Sequence, residues 1–139
     1  MFDEVDEISF GDNGSQVRKS FKLPTDVQEN VNSIAHAHPM YGKTFSTLGK
    51  MLDPISQDSC AFYERTAIFA DYDGVANGPD EGINIAKALG DKEFCILQNH
   101  GILTTGSMVD TAVWYFLNME DACKSQFLAE AVGMPKVIP

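Results

Sequence analysis

The chain has 139 residues, 44% of them hydrophobic, and 20 acidic against 10 basic side chains give it a net charge of −10. These values fit one soluble domain with its own core, and the charge opposes binding to nucleic-acid phosphates and anionic membranes. No apolar run approaches the roughly 20 residues that span a bilayer, and the acidic N-terminus resembles no signal or transit peptide. Cys60, Cys95 and Cys123 are odd in number and lack Cys-x-x-Cys spacing, which reads as a reducing compartment and makes the cytoplasm the expected location.

In chain order, Val5 to Phe10 alternates weakly as a strand. The turn Gly11-Asp12-Asn13-Gly14 would join it to Val17-Arg18-Lys19-Ser20-Phe21 as a hairpin, which Leu23-Pro24-Thr25 ends. Val31-Asn32-Ser33-Ile34-Ala35 approaches His36 and His38 as a second strand. Met40, Thr44, Phe45 and Leu48 have helical spacing, with Pro39 at the first turn and Gly49 at the stop. A second helix opens at Pro79-Asp80-Glu81 and runs to Leu89, with Gly90 as its C′ residue, and the short apolar run Phe94-Cys95-Ile96-Leu97 follows as a strand. The last helix starts from Ser107 and Asp110, which approximate a capping box. Val109, Ala112, Val113, Phe116, Met119, Cys123, Phe127 and Ala131 fall on a stripe of about 120°.

His36, His38 and His100 are the only histidines. Side chains two apart on a strand project from the same face, so His36 and His38 point together, and His100 leaves the end of a neighbouring strand toward the same corner. Three neutral imidazoles suit Zn²⁺ and leave a coordination position open, as catalytic zinc requires; three ordinary core or capping histidines are the alternative. Glu120 falls inside the apolar stripe of the last helix, where an unpaired carboxylate is costly. It is expected either to pair with Lys124 or to accept the outer N–H of a zinc-bound imidazole.

Five ordered blocks resemble the class II aldolase/adducin family. They are His36-Ala37-His38-Pro39-Met40-Tyr41-Gly42-Lys43, Leu52-Asp53-Pro54-Ile55-Ser56-Gln57-Asp58, Ala86-Lys87-Ala88-Leu89-Gly90, Leu97-Gln98-Asn99-His100-Gly101 and the helix with Trp114. The resemblance implies an α/β/α three-layer domain around a mostly antiparallel sheet, with Zn²⁺ on His36, His38 and His100. It also implies a homo-oligomer, usually a tetramer, acting on a small hydroxy-carbonyl, sugar-like substrate by retro-aldol lyase chemistry. The family's adducin head domains keep the fold without an established activity and point to a cytoskeletal partner instead.

The chain departs from the family pattern in its first third. Residues 1–139 read as a single but incomplete domain, whose N-terminal part and the helix before the His-x-His strand are missing. The family's proton-transferring glutamate would fall at Val17, and the stretch from Leu23 to His36 is about ten residues short, three turns of helix. Glu29 is the candidate replacement base. Gln57 stands where one branch of the family has a tyrosine acid. Gln57 and Asp58 are candidate substrate-binding residues, Tyr41 and Tyr63 candidate proton donors, and Lys43 and Arg65 the nearest candidate cations. The expectations are therefore a zinc lyase of weak or lost activity, a non-catalytic adducin-like module, or a truncated family member.

Overall fold

The computed structural model describes residues 6–8, 31–70 and 79–139. The described elements are β1 (Asp6–Ile8), β2 (Ser33–Ala37), α1 (Met40–Ser46), β3 (Thr66–Phe69), α2 (Pro79–Leu89), β4 (Phe94–Leu97), β5 (Gly101–Gly106) and α3 (Val109–Val132), with a 3₁₀ turn at Ser59–Ala61. The proposed hairpin partner at Val17–Phe21 and Glu29 lie outside the described residues.

The five strands form one sheet in the order β1-β2-β5-β4-β3. β1 pairs parallel with β2 and β3 with β4, whereas β2–β5 and β4–β5 are antiparallel. The sheet is thus evenly mixed among the described strands, where the resemblance implied mostly antiparallel pairing. The connections explain two of these pairings: β3 reaches β4 through the α2 crossover, which parallel neighbours need, while the tight turn Leu97 to Gly101 joins β4 to β5 antiparallel.

Alternation along the strands feeds two cores. Ala35, Ala37, Phe94, Ile96 and Ile102 face Phe45, Phe62, Phe116, Met119 and Cys123 under α1 and α3. Ile34, Cys95, Leu97 and Leu103 face Ile85 and Leu89 of α2 on the other side. The result is the three-layer α/β/α arrangement. Phe45, Phe62 and Phe94 are fully buried, each contributing about 1.5–3 kcal/mol relative to exposure, and Phe62 meets Phe94 edge-on at 5.0 Å. All three cysteines are free; burial pushes the Cys95 and Cys123 thiols up to about 12, so both behave as small core residues.

α2 has the bounds expected from the sequence, and Gly90 (φ 56°) and Gly49 (φ 59°) adopt the left-handed conformation that ends their helices. α3 differs in two ways. Its N-cap is Met108, with no side-chain cap bond, and Asp110 instead accepts from the N–H of Thr111, so the expected capping box is not formed. The buried face comprises Ala112, Phe116, Met119, Ala122, Cys123 and Gln126, and it is turned by roughly 60° from the expected stripe, leaving Val109 and Phe127 partly in solvent. At its C-terminal end Gln126 is fully buried. Its Oε1 accepts the Asp53 N–H at 2.8 Å, and its Nε2 donates to Asp53 Oδ2 at 2.6 Å and Glu130 Oε1 at 2.8 Å. That network ties the loop after Leu52 onto α3.

Candidate metal centre

β2 and β5 run antiparallel, so the end of one lies beside the start of the other. His36 pairs across to Leu103 and Ala37 to Ile102. His36 is the last but one residue of β2, His38 follows its end, and His100 precedes β5. The three rings therefore meet at one sheet corner, with centroids 5.2 Å apart for His36–His38, 5.0 Å for His36–His100 and 4.4 Å for His38–His100. One ligand nitrogen from each lies within 4.8 Å of the others. Three nitrogens about 2.1 Å from a tetrahedral ion would be roughly 3.4 Å apart, so the rings must close by up to roughly 1.4 Å, within reach of side-chain rotation, to satisfy the geometry.

The protonation states fit a metal as well. His36 is only 9% exposed, and its Nδ1 lies 2.9 Å from the Ile102 carbonyl oxygen, which can only accept. Nδ1 therefore carries the proton and Nε2 presents its lone pair. Burial pushes His36 down to about 4, opposed by the Ile102 bond and assisted by the charges of His100 and His38. His100 is likewise pushed down to about 4, by burial and then by His38. His38, more exposed, lies below its ordinary value through burial and the Lys43 ammonium. Neutral rings are the form that coordinates a cation.

The corner is built by backbone as much as by side chains. A Cβ on Gly101 would sit 2.5 Å from the Ala37 carbonyl oxygen and 3.1 Å from His38 Cδ2, so the close approach of β2 and β5 at this end of their pairing requires glycine. Asn99 has φ 58°, and this left-handed residue turns the chain so that His100 N–H reaches the Leu97 carbonyl at 3.0 Å. The turn is tied on both sides: Gln98 N–H donates to Phe69 O at 2.9 Å and Asn99 N–H to Ser46 O at 3.4 Å.

The other candidates separate. Glu120 does not take either expected role. Oε1 accepts the Tyr41 N–H at 2.9 Å and Oε2 the Gly42 N–H at 2.6 Å, while the outer nitrogen of His36 is held by Ile102. Arg65 is taken by Glu93, the Ala61 carbonyl and the Tyr115 hydroxyl, and its guanidinium lies over Phe94, which makes it a structural tie. Gln57 and Asp58 are exposed on a turn fixed by the Ser59 N–H to Ser56 Oγ bond and its reciprocal. Tyr41 packs against the core with Lys124 Nζ 5.4 Å from its ring, and Tyr63 is exposed. The Ile102 carbonyl, Gly101 and Gln126 are absent from the sequence reading. Only Gly101 left a trace there, in its place beside His100.

Comparison with known proteins identifies the family. The family described as Class II Aldolase and Adducin N-terminal domain matches residues 13–127. The chain is 38% identical over 110 residues to Decarboxylase NovR of Streptomyces niveus, covering 79% of this chain and 41% of that protein. It is 42% identical over 105 residues to the meiotically up-regulated gene 14 protein of Schizosaccharomyces pombe, covering 76% and 41%. Among solved structures, L-fuculose 1-phosphate aldolase from Glaciozyma antarctica superposes with a TM-score of 0.70 at 41% identity, covering 82% of this chain and 42% of that one. The chain thus spans about two-fifths of the length of these relatives. With a matching family profile over most of its length and relatives above 30% identity across three quarters of it, the chain belongs to the class II aldolase/adducin family.

Proposed function

We propose that His36, His38 and His100 bind Zn²⁺ and that the protein is a lyase-type member of its family acting weakly on a small hydroxy-carbonyl or keto-acid substrate. The observation that carries this reading is the convergence of one ligand nitrogen from each of three imidazoles within 4.8 Å, one ring having its tautomer fixed by a carbonyl. Bound zinc would supply Lewis acidity that polarises a substrate carbonyl. The chain's own part is to hold the three rings neutral and oriented, and to carry a proton. Glu29, just ahead of the metal strand, is the candidate for the proton step, and Gln57 and Asp58 are candidates for orienting substrate through hydrogen bonds.

Weak turnover follows from the lack of an acid at Val17, where the family pattern places its glutamate, since positioned general acid–base catalysis is worth about 10²–10⁴-fold. The test is an assay of the zinc-loaded protein against small ketose phosphates and hydroxy-keto or keto acids, repeated with Glu29→Gln. Trace C–C cleavage or decarboxylation that disappears in His38→Ala is expected. Turnover within about 1–10³ s⁻¹ that Glu29→Gln leaves intact would overturn both the weakness and the role of Glu29.

A non-catalytic, adducin-like interaction module is the second reading, favoured by the outer face of α3. Trp114, Leu117 and Leu128 are 57%, 60% and 51% exposed on the side away from the sheet, an apolar face that a second copy of the chain or a cytoskeletal partner would cover. Stoichiometric partner binding that survives His38→Ala and is abolished by Trp114→Glu would favour it.

A further inference from the structure

We infer that Glu120 is a positioning residue for two of the three histidines, acting through α1; this rests on the metal reading above but concerns a group that touches no ligand nitrogen. α1 has seven residues, too short to be stable alone, and its N-cap is Pro39, whose side chain can accept nothing. Two of the orphan amides in its first turn, those of Tyr41 and Gly42, donate instead to the carboxylate of Glu120, which arrives from α3 nearly eighty residues later. Both carboxylate oxygens are used, and charge-assisted bonds of this kind are about twice as strong as neutral ones.

The clamp matters because of what α1 holds at its two ends. His38 lies two residues before Met40, so fixing the first turn of the helix fixes the exit of His38 from β2. At the other end Ser46 O accepts from the N–H of Asn99, whose left-handed turn delivers His100. Between these ends Gly42 lies flat on Ile102: a Cβ there would stand 3.0 Å from Ile102 Cδ1, so the helix cannot slide along β5 without the seat changing. His36 stands outside this arrangement, since the Ile102 carbonyl orients it directly from β5. Glu120 therefore governs His38 and His100 and leaves His36 in place.

The experiment compares the parent with Glu120→Ala, Glu120→Gln and Gln126→Ala. The last removes three hydrogen bonds from the same helix and loosens a loop other than α1. In the metal-free protein, ¹⁵N ring spectra should show His38 and His100 displaced or broadened in Glu120→Ala while the His36 Nδ1–H signal stays where it is. Zinc titrated against a competing chelator should bind about 10–100-fold more weakly to Glu120→Ala, with Glu120→Gln between it and the parent because one oxygen remains. Gln126→Ala should keep parental zinc affinity at a comparable loss of stability. Unchanged His38 and His100 signals in Glu120→Ala, or an equal loss of affinity in Gln126→Ala, would overturn the positioning role. A parent that takes up no zinc while its ring spectra respond as described would overturn the metal reading and leave the positioning of the rings standing.

Discussion

Replacing Gly101 with alanine tests how tightly the corner is built. The added Cβ would lie 2.5 Å from the Ala37 carbonyl oxygen and 3.3 Å from its carbon. Carbon and oxygen that merely touch settle at about 3.3–3.6 Å, so β2 and β5 must part by roughly 0.8–1.1 Å at this end of their pairing. The obstacle is main chain paired across the sheet, with no rotamer to turn aside, which places the cost near the upper end of the usual overpacking range, about 2–3 kcal/mol. For a domain of this size that is about a 1 M drop in the urea midpoint of the metal-free protein. The same displacement falls between His38 and His100 and loosens the backbone that supports both rings, so zinc affinity should fall by up to about 100-fold, as when a ligand's support is removed. Urea unfolding with chelator present, alongside a zinc competition titration, reads both quantities. A Gly101→Ala protein with the parental midpoint and the parental affinity would show that the strand end is slack and that the backbone does not set the triad.

Two further outcomes follow from the same corner. His38→Ala should abolish most zinc binding, because two imidazoles make a poor site; inductively coupled plasma measurement of zinc per chain in variant and parent decides it, and equal occupancy would put the metal elsewhere. The metal-free protein should also be destabilised by acid through its histidines. His36 is held near 4 in the folded chain against 6.5 when unfolded, so the unfolded chain binds the extra proton first; the stabilisation is complete above about pH 6.5 and is lost as pH falls toward 4. For this buried ring it is on the order of 3 kcal/mol, and His100 and His38 act in the same direction. Urea midpoints between pH 7.5 and 5 should therefore fall less steeply in His36→Gln than in the parent, and identical slopes would contradict the assignment.

The histidine triad was legible because strand alternation is a strict rule: two residues apart on β2 means one face, and the run Phe94 to Leu97 placed His100 at the matching end of a neighbour. α2 was legible to the residue because acidic start and glycine stop are local signals. β3 was not. Thr66 to Phe69 is four residues paired parallel to β4, mostly buried and without polar alternation to announce it. The packed face of α3 is hard to read for a related reason: Trp114, Leu117, Phe127 and Leu128 make the helix apolar on nearly every side, so periodicity does not pick the packed one, and the polar Gln126 within that face argues against it.

Glu120 shows where a stricter reading of the sequence would have gone further. A carboxylate on a packed helix face must have a partner, and the two considered were an i,i+4 lysine and a zinc-bound imidazole, both suggested by proximity to something already recognised. The unmet demand lay elsewhere. Pro39 at the start of a helix offers no side-chain acceptor, so the first amides of α1 needed one from a distant element, and buried N–H groups are almost never left orphaned. Matching an acid without a partner to a helix without a cap links Glu120 to Tyr41 and Gly42 across 78 and 79 residues. The same accounting explains Ile102: a ring nitrogen pointing away from a metal needs an acceptor, and the residue paired with Ala37 across β2 and β5 supplies its carbonyl. What the site requires of the chain is therefore wider than its three ligands. It takes an acid on α3, a backbone carbonyl on β5 and a glycine where two paired strands come close, and the acid and the glycine can each be replaced without touching a histidine.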